Sequence, residues 1–185
     1  MVGPNDDVVI PQISIHTDWE VELGLVIGTK AKYVSIEQAA SHIAGYCIVN
    51  DVTERSFQRT GNAGQWIKGK CCDGFPPMGP WLGTTDEIAD PSNLGLWLSV
   101  NGERMQVGKT SNMIFTWGEI VSHVSQYMTL HPDDVIMTGT PAGVGMGKKP
   151  PHFLKAVDVV RLGVGGLGEQ KQTFVSEKNG RNEAR

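Results

Sequence analysis

The sequence predicts a mixed α+β, strand-rich domain, on three observations. The run Asp18-Trp19-Glu20-Val21-Glu22-Leu23-Gly24-Leu25-Val26-Ile27-Gly28 is apolar and rich in β-branched residues, and reads as a strand. Leu96, Leu98 and Val100 run into Asn101-Gly102 and return through Glu103, Arg104 and Met105. Asn-Gly between two such runs is a hairpin signal, because both turn positions need positive φ. The 23 glycines and 10 prolines suit short strands with many turns. At 185 residues the chain is long enough for one domain with a sizeable core.

The remaining elements follow in order. Val8-Val9-Ile10 is a short entering strand. Ser35-Ile36-Glu37-Gln38 has the form of a capping box and predicts a short helix to about Ala44. Tyr46 to Asn50 is a second apolar strand closed by Asp51, and Val52 to Gln58 predicts one or two helical turns. Arg59 to Gly69 has loop composition; Lys70 to Leu82 is rich in Gly and Pro, with Phe75 and Trp81 as anchors. Thr116-Trp117-Gly118-Glu119 is another capping box, and its helix runs to about Met128 with an apolar stripe of Ile120, Val121, Val124 and Tyr127/Met128. His123 beside that stripe reads as a structural histidine. Val135-Ile136-Met137 is a strand leading into a glycine-rich loop, Thr138 to Gly145. Val157 to Val164 and Gln170 to Val175 close the domain, residues 1–175, and the charged segment 176–185 reads as a disordered tail.

Composition excludes several function classes. A net charge of −4 argues against nucleic acid or an anionic membrane as the main partner. No apolar run approaches the roughly 18 residues of a membrane span. The start, Met1-Val2-Gly3-Pro4-Asn5-Asp6-Asp7, has neither the basic start nor the apolar centre of a signal peptide, and reads as cut from a longer sequence. Cys47, Cys71 and Cys72 make no disulfide framework or metal-ligand spacing, which fits a reduced, cytoplasmic setting.

The chemistry lies in the carboxylates. On a strand, Glu20 and Glu22 share one face, while Val21 and Leu23 face a core. Two carboxylates on one face either stand in solvent or converge on a cation. Asp51, at the end of the next strand, adds a third. Three hard oxygen ligands suit Mg²⁺, Mn²⁺ or Ca²⁺ rather than zinc. Lys70 either holds developing negative charge or is a surface lysine. Arg55 and Gln58, three apart, share a helical face that either binds a substrate oxygen or is solvated. The loop from Gly143 to Lys149 fails the phosphate-loop pattern, since Ala142 stands where its first glycine belongs and Lys149 where Ser or Thr belongs, so nucleotide binding is rejected. A loop of bare amides with Thr140 still suits an oxygen-rich ligand.

In this order, four motifs resemble the fumarylacetoacetate hydrolase family: Glu20-Val21-Glu22-Leu23; Asn50-Asp51-Val52-Thr53-Glu54-Arg55-Ser56-Phe57-Gln58; Gly69-Lys70 followed by Asp73-Gly74-Phe75-Pro76-Pro77-Met78-Gly79-Pro80-Trp81; and Thr138 to Gly145. The wording is nearest to bacterial 2,4-diketo-3-deoxy-sugar-acid hydrolases and ureidoglycolate lyases. The resemblance implies a β-roll with short helices, paired as a homodimer. It implies Glu20, Glu22 and Asp51 as ligands of Mg²⁺ or Mn²⁺, with Ca²⁺ as a substitute. It implies Lys70, Arg55 and Gln58 as catalytic residues, and Gly139 and Thr140 at the site of a small 2-oxo acid. The expected reaction is hydrolysis of a C–C bond in a 2,4-dioxo acid, an acylpyruvate or a diketo-deoxy sugar acid. The alternatives are a ureidoglycolate lyase, a 2-oxo acid decarboxylase, or a truncated homologue that binds metal without catalysis. The family usually carries its water-activating base in a His-x-x-Glu helix ahead of the E-x-E strand. None of His16, His42, His123, His131 and His152 begins such a pair, so an N-terminally truncated catalytic domain is expected.

Overall fold

The computed structural model describes residues 1–61, 63–88 and 90–177. In chain order the elements are β1 Val8–Ile10, β2 Thr17–Asp18, β3 Val21–Ile27, β4 Ile43–Asn50, β5 Thr53–Glu54, α1 Arg55–Gln58, α2 Trp66–Lys70 and β6 Met78–Thr84. There follow β7 Gly95–Val100, β8 Glu103–Lys109, α3 Trp117–Tyr127, β9 Val135–Met137, β10 Val159–Val164 and β11 Gly168–Ser176. One sheet has the order β1-β11-β10-β7-β8, a second β6-β4-β3-β9, and β2 pairs with β5 alone. Only β1 and β11 run parallel among these pairs. The strand-rich α+β class expected from the sequence is the one observed. No helix of the described residues is long and apolar enough to cross a membrane.

The two larger sheets bury one core. Leu23 and Leu25 of β3 and Ile48 of β4 join Leu98 of β7, Leu162 of β10 and Phe174 of β11, all essentially inaccessible. Polar strand residues cross this core only as satisfied groups. Asn50 Nδ2 donates to Gln172 Oε1 at 3.2 Å, Gln172 Nε2 to Gln170 Oε1 at 2.9 Å, and Gln170 Nε2 to the carbonyls of Ile48 and Gly79, both at 2.9 Å. Each amide is thus compensated for the water it lost. This chain of amides ends at the site, where the Glu20 amide donates to Asn50 Oδ1.

Several local expectations need correction. The strand expected over 18–28 breaks at Trp19 and Glu20, because Asp18 turns its carboxylate back onto the Trp19 amide. Ser35 and Gln38 do exchange the two capping hydrogen bonds, yet no α-helix follows: a single 3₁₀ turn, Ala39–His42, leads directly into β4. The loop expected over Arg59 to Gly69 contains most of α2. That helix is held from outside, by the Gln65 amide on the Gln58 carbonyl and by a close approach at Gly69. The Gly- and Pro-rich stretch from Lys70 to Leu82 contains the start of β6; of its two expected anchors Phe75 is buried, while Trp81 is 53 % exposed. On α3 the capping box forms, but Tyr127 and Met128 are exposed; Gly118, Val121 and Ser125 make the buried face. The Asn101-Gly102 hairpin forms as expected, with φ of 51° and 85°. Ser176 ends β11, and the rest of the expected tail, from 178 on, lies outside the described residues.

Candidate metal centre

The site is built where β3 and β4 begin and end side by side. Val21 pairs with Asn50 and Glu22 with Val49, and the Asp51 amide donates to the Glu20 carbonyl at 2.9 Å. Register alone therefore puts Asp51 beside Glu20. The carboxylates of Glu20, Glu22 and Asp51 are all buried and offer oxygens within 4.8 Å of one another. They lie in a cleft of about 1180 Å³ that also takes in Arg55, Gln58, Lys70, Gly139 and Thr140. All eight expected site residues thus meet in one cavity.

Two cations face these acids. Lys70 Nζ lies 2.9 Å from Glu20 Oε2, in direct contact with Asp51 Oδ2, and 3.1 Å from Thr53 Oγ1. Lys70 reaches them because Gly69 lets α2 settle on α1: a Cβ there would lie 2.7 Å from both Gln58 Cβ and the Glu54 carbonyl oxygen. Arg55 Nη2 lies 2.6 Å from Glu20 Oε1 as an ion pair without hydrogen-bond alignment, and Nη1 donates to Gln58 Oε1 at 3.4 Å. Burial pulls the Lys70 ammonium down, but Glu20 and Asp51 outweigh it and hold it above its ordinary value.

The loop after β9 closes the other side. Gly139 N donates to Glu22 Oε2 at 2.7 Å. Thr140 Oγ1 donates to the Val21 carbonyl at 2.9 Å and accepts from Gln106 Nε2 at 2.8 Å. These two residues line the cleft, with their best polar groups directed at β3. Gln106 also accepts from the Val21 amide, so one buried glutamine ties the loop to the Glu-bearing strand. Sequence reasoning missed Gln106, and it missed Asp18. Asp18 is fully buried and accepts from Arg55 Nε at 2.9 Å. The signal for Asp18 was in view, since an acidic residue two before Glu20 on an apolar strand needs a partner.

The residues fit a divalent cation. Asp51 Oδ1 is buried and accepts no hydrogen bond among the described residues, an orphaned lone pair aimed into the site. Four carboxylates, Asp18, Glu20, Glu22 and Asp51, face two cations, leaving two negative charges uncompensated. The protein on its own answers with a proton. Burial, reinforced by Asp51 and Glu20, pushes the Glu22 carboxyl up to about 8, and burial also raises that of Asp51.

Fold and centre together define a class: a strand-rich domain presenting an acidic oxygen-ligand cluster, with a lysine and an arginine, at the floor of an open cleft. Residues 1–175 match the model of the fumarylacetoacetate (FAA) hydrolase C-terminal domain, and the chain belongs to that family. A Burkholderia ambifaria protein that carries only a generic hydrolase designation is 58 % identical over 172 residues, 92 % of this chain and 61 % of its own. The chain therefore spans about three fifths of the length of that relative. The fumarylacetoacetate hydrolase of Exiguobacterium antarcticum is 40 % identical, with a TM-score of 0.91 over 95 % of this chain and 63 % of that one. A Pseudomonas aeruginosa fumarylpyruvate hydrolase, solved with Mn²⁺ and pyruvate, is 28 % identical, with a TM-score of 0.85 over 94 % of this chain and 72 % of that one. A 2-hydroxyhepta-2,4-diene-1,7-dioate isomerase of Mycobacterium marinum is 39 % identical, with a TM-score of 0.86 over 96 % and 66 %. The solved relatives named here are thus two hydrolases and an isomerase.

Proposed function

We propose that this chain carries the metal-binding catalytic core of a hydrolase that cleaves a C–C bond in a 2,4-dioxo acid, an acylpyruvate or a diketo-deoxy sugar acid. The observation that carries the reading is the buried triad of Glu20, Glu22 and Asp51, with its orphaned Asp51 oxygen, facing Lys70 in an open cleft. Glu20, Glu22 and Asp51 hold Mg²⁺ or Mn²⁺, with Ca²⁺ as a substitute. When bound, such a cation supplies Lewis acidity toward the carboxylate and 2-oxo oxygens of the substrate. The Mn²⁺ and pyruvate of the Pseudomonas relative support this choice.

The chain's own residues then divide the work. The Lys70 ammonium balances the negative charge that develops on the departing 2-oxo acid. Arg55 and Gln58 orient its oxygens, and Gly139 and Thr140 bound the cleft beside it. Hydrolysis breaks the bond between C3 and C4: the oxygen of water ends on the C4 acid, and a proton on C3 of the 2-oxo acid. Activation of that water is assigned to no residue here, because no histidine among the described residues lines the cleft.

The Mycobacterium marinum relative supports a second reading, in which the same charge stabilisation serves a reaction that consumes no water: isomerisation, as that relative is named, decarboxylation, or a lyase step on ureidoglycolate. The deciding experiment supplies Mn²⁺ and a panel of acylpyruvates, 2-oxo acids and ureidoglycolate, and identifies products by NMR. Pyruvate with a carboxylic acid supports hydrolysis, and products that have gained no water support the second reading. Failure to bind Mn²⁺ at all would sink both. A homodimer is proposed with this function, since Val107, Ile114 and Phe115 stand exposed around one groove next to the Thr140 loop.

A further inference from the structure

Asp18 sits outside the carboxylate triad and is fully buried, yet it makes four polar contacts. Its Oδ1 accepts from the amides of Trp19 at 2.9 Å and Gly145 at 2.7 Å. Its Oδ2 accepts from the Met146 amide at 3.0 Å and from Arg55 Nε at 2.9 Å. The remaining Arg55 nitrogens face Gln58 and Glu20. Charges therefore alternate along one line: Asp18, Arg55, Glu20, Lys70, Asp51. Arg55 Nη2 contacts Glu20 Oε1 at 2.6 Å, so the plane of the guanidinium sets how that carboxylate faces the site. A second carboxylate on the far side of the guanidinium shares that charge and fixes its plane. The close fit of the loop agrees, since a Cβ on Gly145 would lie 2.8 Å from Asp18 Oδ1.

We propose that Asp18 is a positioning residue of the cleft, acting through Arg55: its carboxylate fixes the plane of the guanidinium that pairs with Glu20 and pins the Gly145-Met146 loop, so that the site receives a 2-oxo acid in one orientation. This rests on the function proposed above, because it names what Asp18 does for that ligand. Asp18 itself touches no substrate.

The test measures Mn²⁺ binding and then oxalate binding to the Mn²⁺-loaded protein, in wild type, Asp18→Asn, Arg55→Gln and the double variant. Oxalate is a planar dianion with the oxygen arrangement of a 2-oxo acid enolate. Loss of an outer partner of this kind weakens ligand affinity by about 10–100-fold, and that is expected of both single variants. The double variant is expected to be no weaker than Arg55→Gln alone, since Asp18 acts through that residue. Losses that multiply in the double variant, or wild-type affinity in Asp18→Asn, overturn the proposal. A second measurement needs no variant to fold. In wild type the Arg55 Nε–H proton is held by Asp18, so its NMR signal must exchange slowly with water. Exchange as fast as that of an exposed arginine overturns the proposal. A wild type that binds no Mn²⁺ sinks the proposed function instead, while the Nε–H signal still decides the role of Asp18.

Discussion

Replacing Glu22 by glutamine separates the folding role of the acidic cluster from its metal role. Glu22 is 3 % exposed and carries a carboxyl pushed up by burial, then by Asp51 and Glu20, from 4.5 to about 8. A carboxyl raised in the folded state holds its proton there while the unfolded chain releases it. Its favourable contribution is complete below about pH 4.5, drains away as pH rises, and is gone above about pH 8. The shift of about 3.5 units corresponds to at most about 5 kcal/mol at about 1.36 kcal/mol per unit. Asp51 is shifted in the same direction and adds to the slope. In Glu22→Gln the amide side chain keeps the shape and still accepts from the Gly139 amide without ionising. In EDTA, urea unfolding should therefore show wild type losing stability from pH 5 to pH 9, while Glu22→Gln is flatter and more stable at pH 9 by up to about 5 kcal/mol. Saturating Mn²⁺ should reverse the order at pH 8, because the variant has lost a ligand. Below pH 8 each Mn²⁺ must displace the Glu22 proton, so wild-type affinity should rise up to about tenfold per pH unit toward pH 8 and then level. Equal pH slopes for the two proteins without metal would refute the assignment of the proton to Glu22.

Other perturbations probe the supports. Lys70→Met removes the cation between Glu20 and Asp51; metal-free stability should fall by about 3–5 kcal/mol, with Mn²⁺ recovering most of it in a thermal melt. Gly145→Ala brings a Cβ to 1.8 Å from the His152 carbonyl oxygen, and urea unfolding should show a loss of about 3 kcal/mol or more. Gln172→Leu cuts the amide chain between β11 and Asn50; about 1–3 kcal/mol of stability should go, while calorimetric Mn²⁺ affinity stays unchanged. Phe115→Asp, at a side chain 63 % exposed beside the apolar groove, should convert a dimer to a monomer by sedimentation velocity; an unchanged mass in both proteins would place the interface elsewhere.

Elements legible in the sequence are those whose signals are local. The Asn101-Gly102 hairpin and the Thr116 capping box each carry their chemistry within four residues, and both form. Ser35 and Gln38 carry the same local chemistry and make the same hydrogen bonds, but β4 must start at Ile43 to pair with β3, so tertiary pairing stops the helix at one 3₁₀ turn. Helix α2 was illegible for the opposite reason. Its five residues include Gly69 and leave Trp66 and Ile67 exposed, so nothing intrinsic favours it. It exists because α1 and Glu54 receive it at close range.

The site divides along the same line. Glu20, Glu22, Asp51 and Lys70 were readable because their chemistry is unusual for an apolar strand and a loop, and the family motifs join them in order. Asp18 and Gln106 were not singled out, since each acts by tying distant segments together: Asp18 joins β2 to α1 and to the loop at Gly145, Gln106 joins β8 to β3 and to Thr140. Such links span about 34 to 127 residues of sequence and carry no spacing signal. They nonetheless decide what the ligand carboxylates do. Arg55 and Lys70 pair with Glu20 and Asp51, so the way these two cations are held sets how much negative charge is left for a ligand. Asp18 holds Arg55 from its other side, the Gly139 amide fixes Glu22, and Asp51 Oδ1 is left without a donor among the described residues. An acidic cluster kept short of neutrality in this way suits a divalent cation, and the fold, rather than the three carboxylates alone, maintains it.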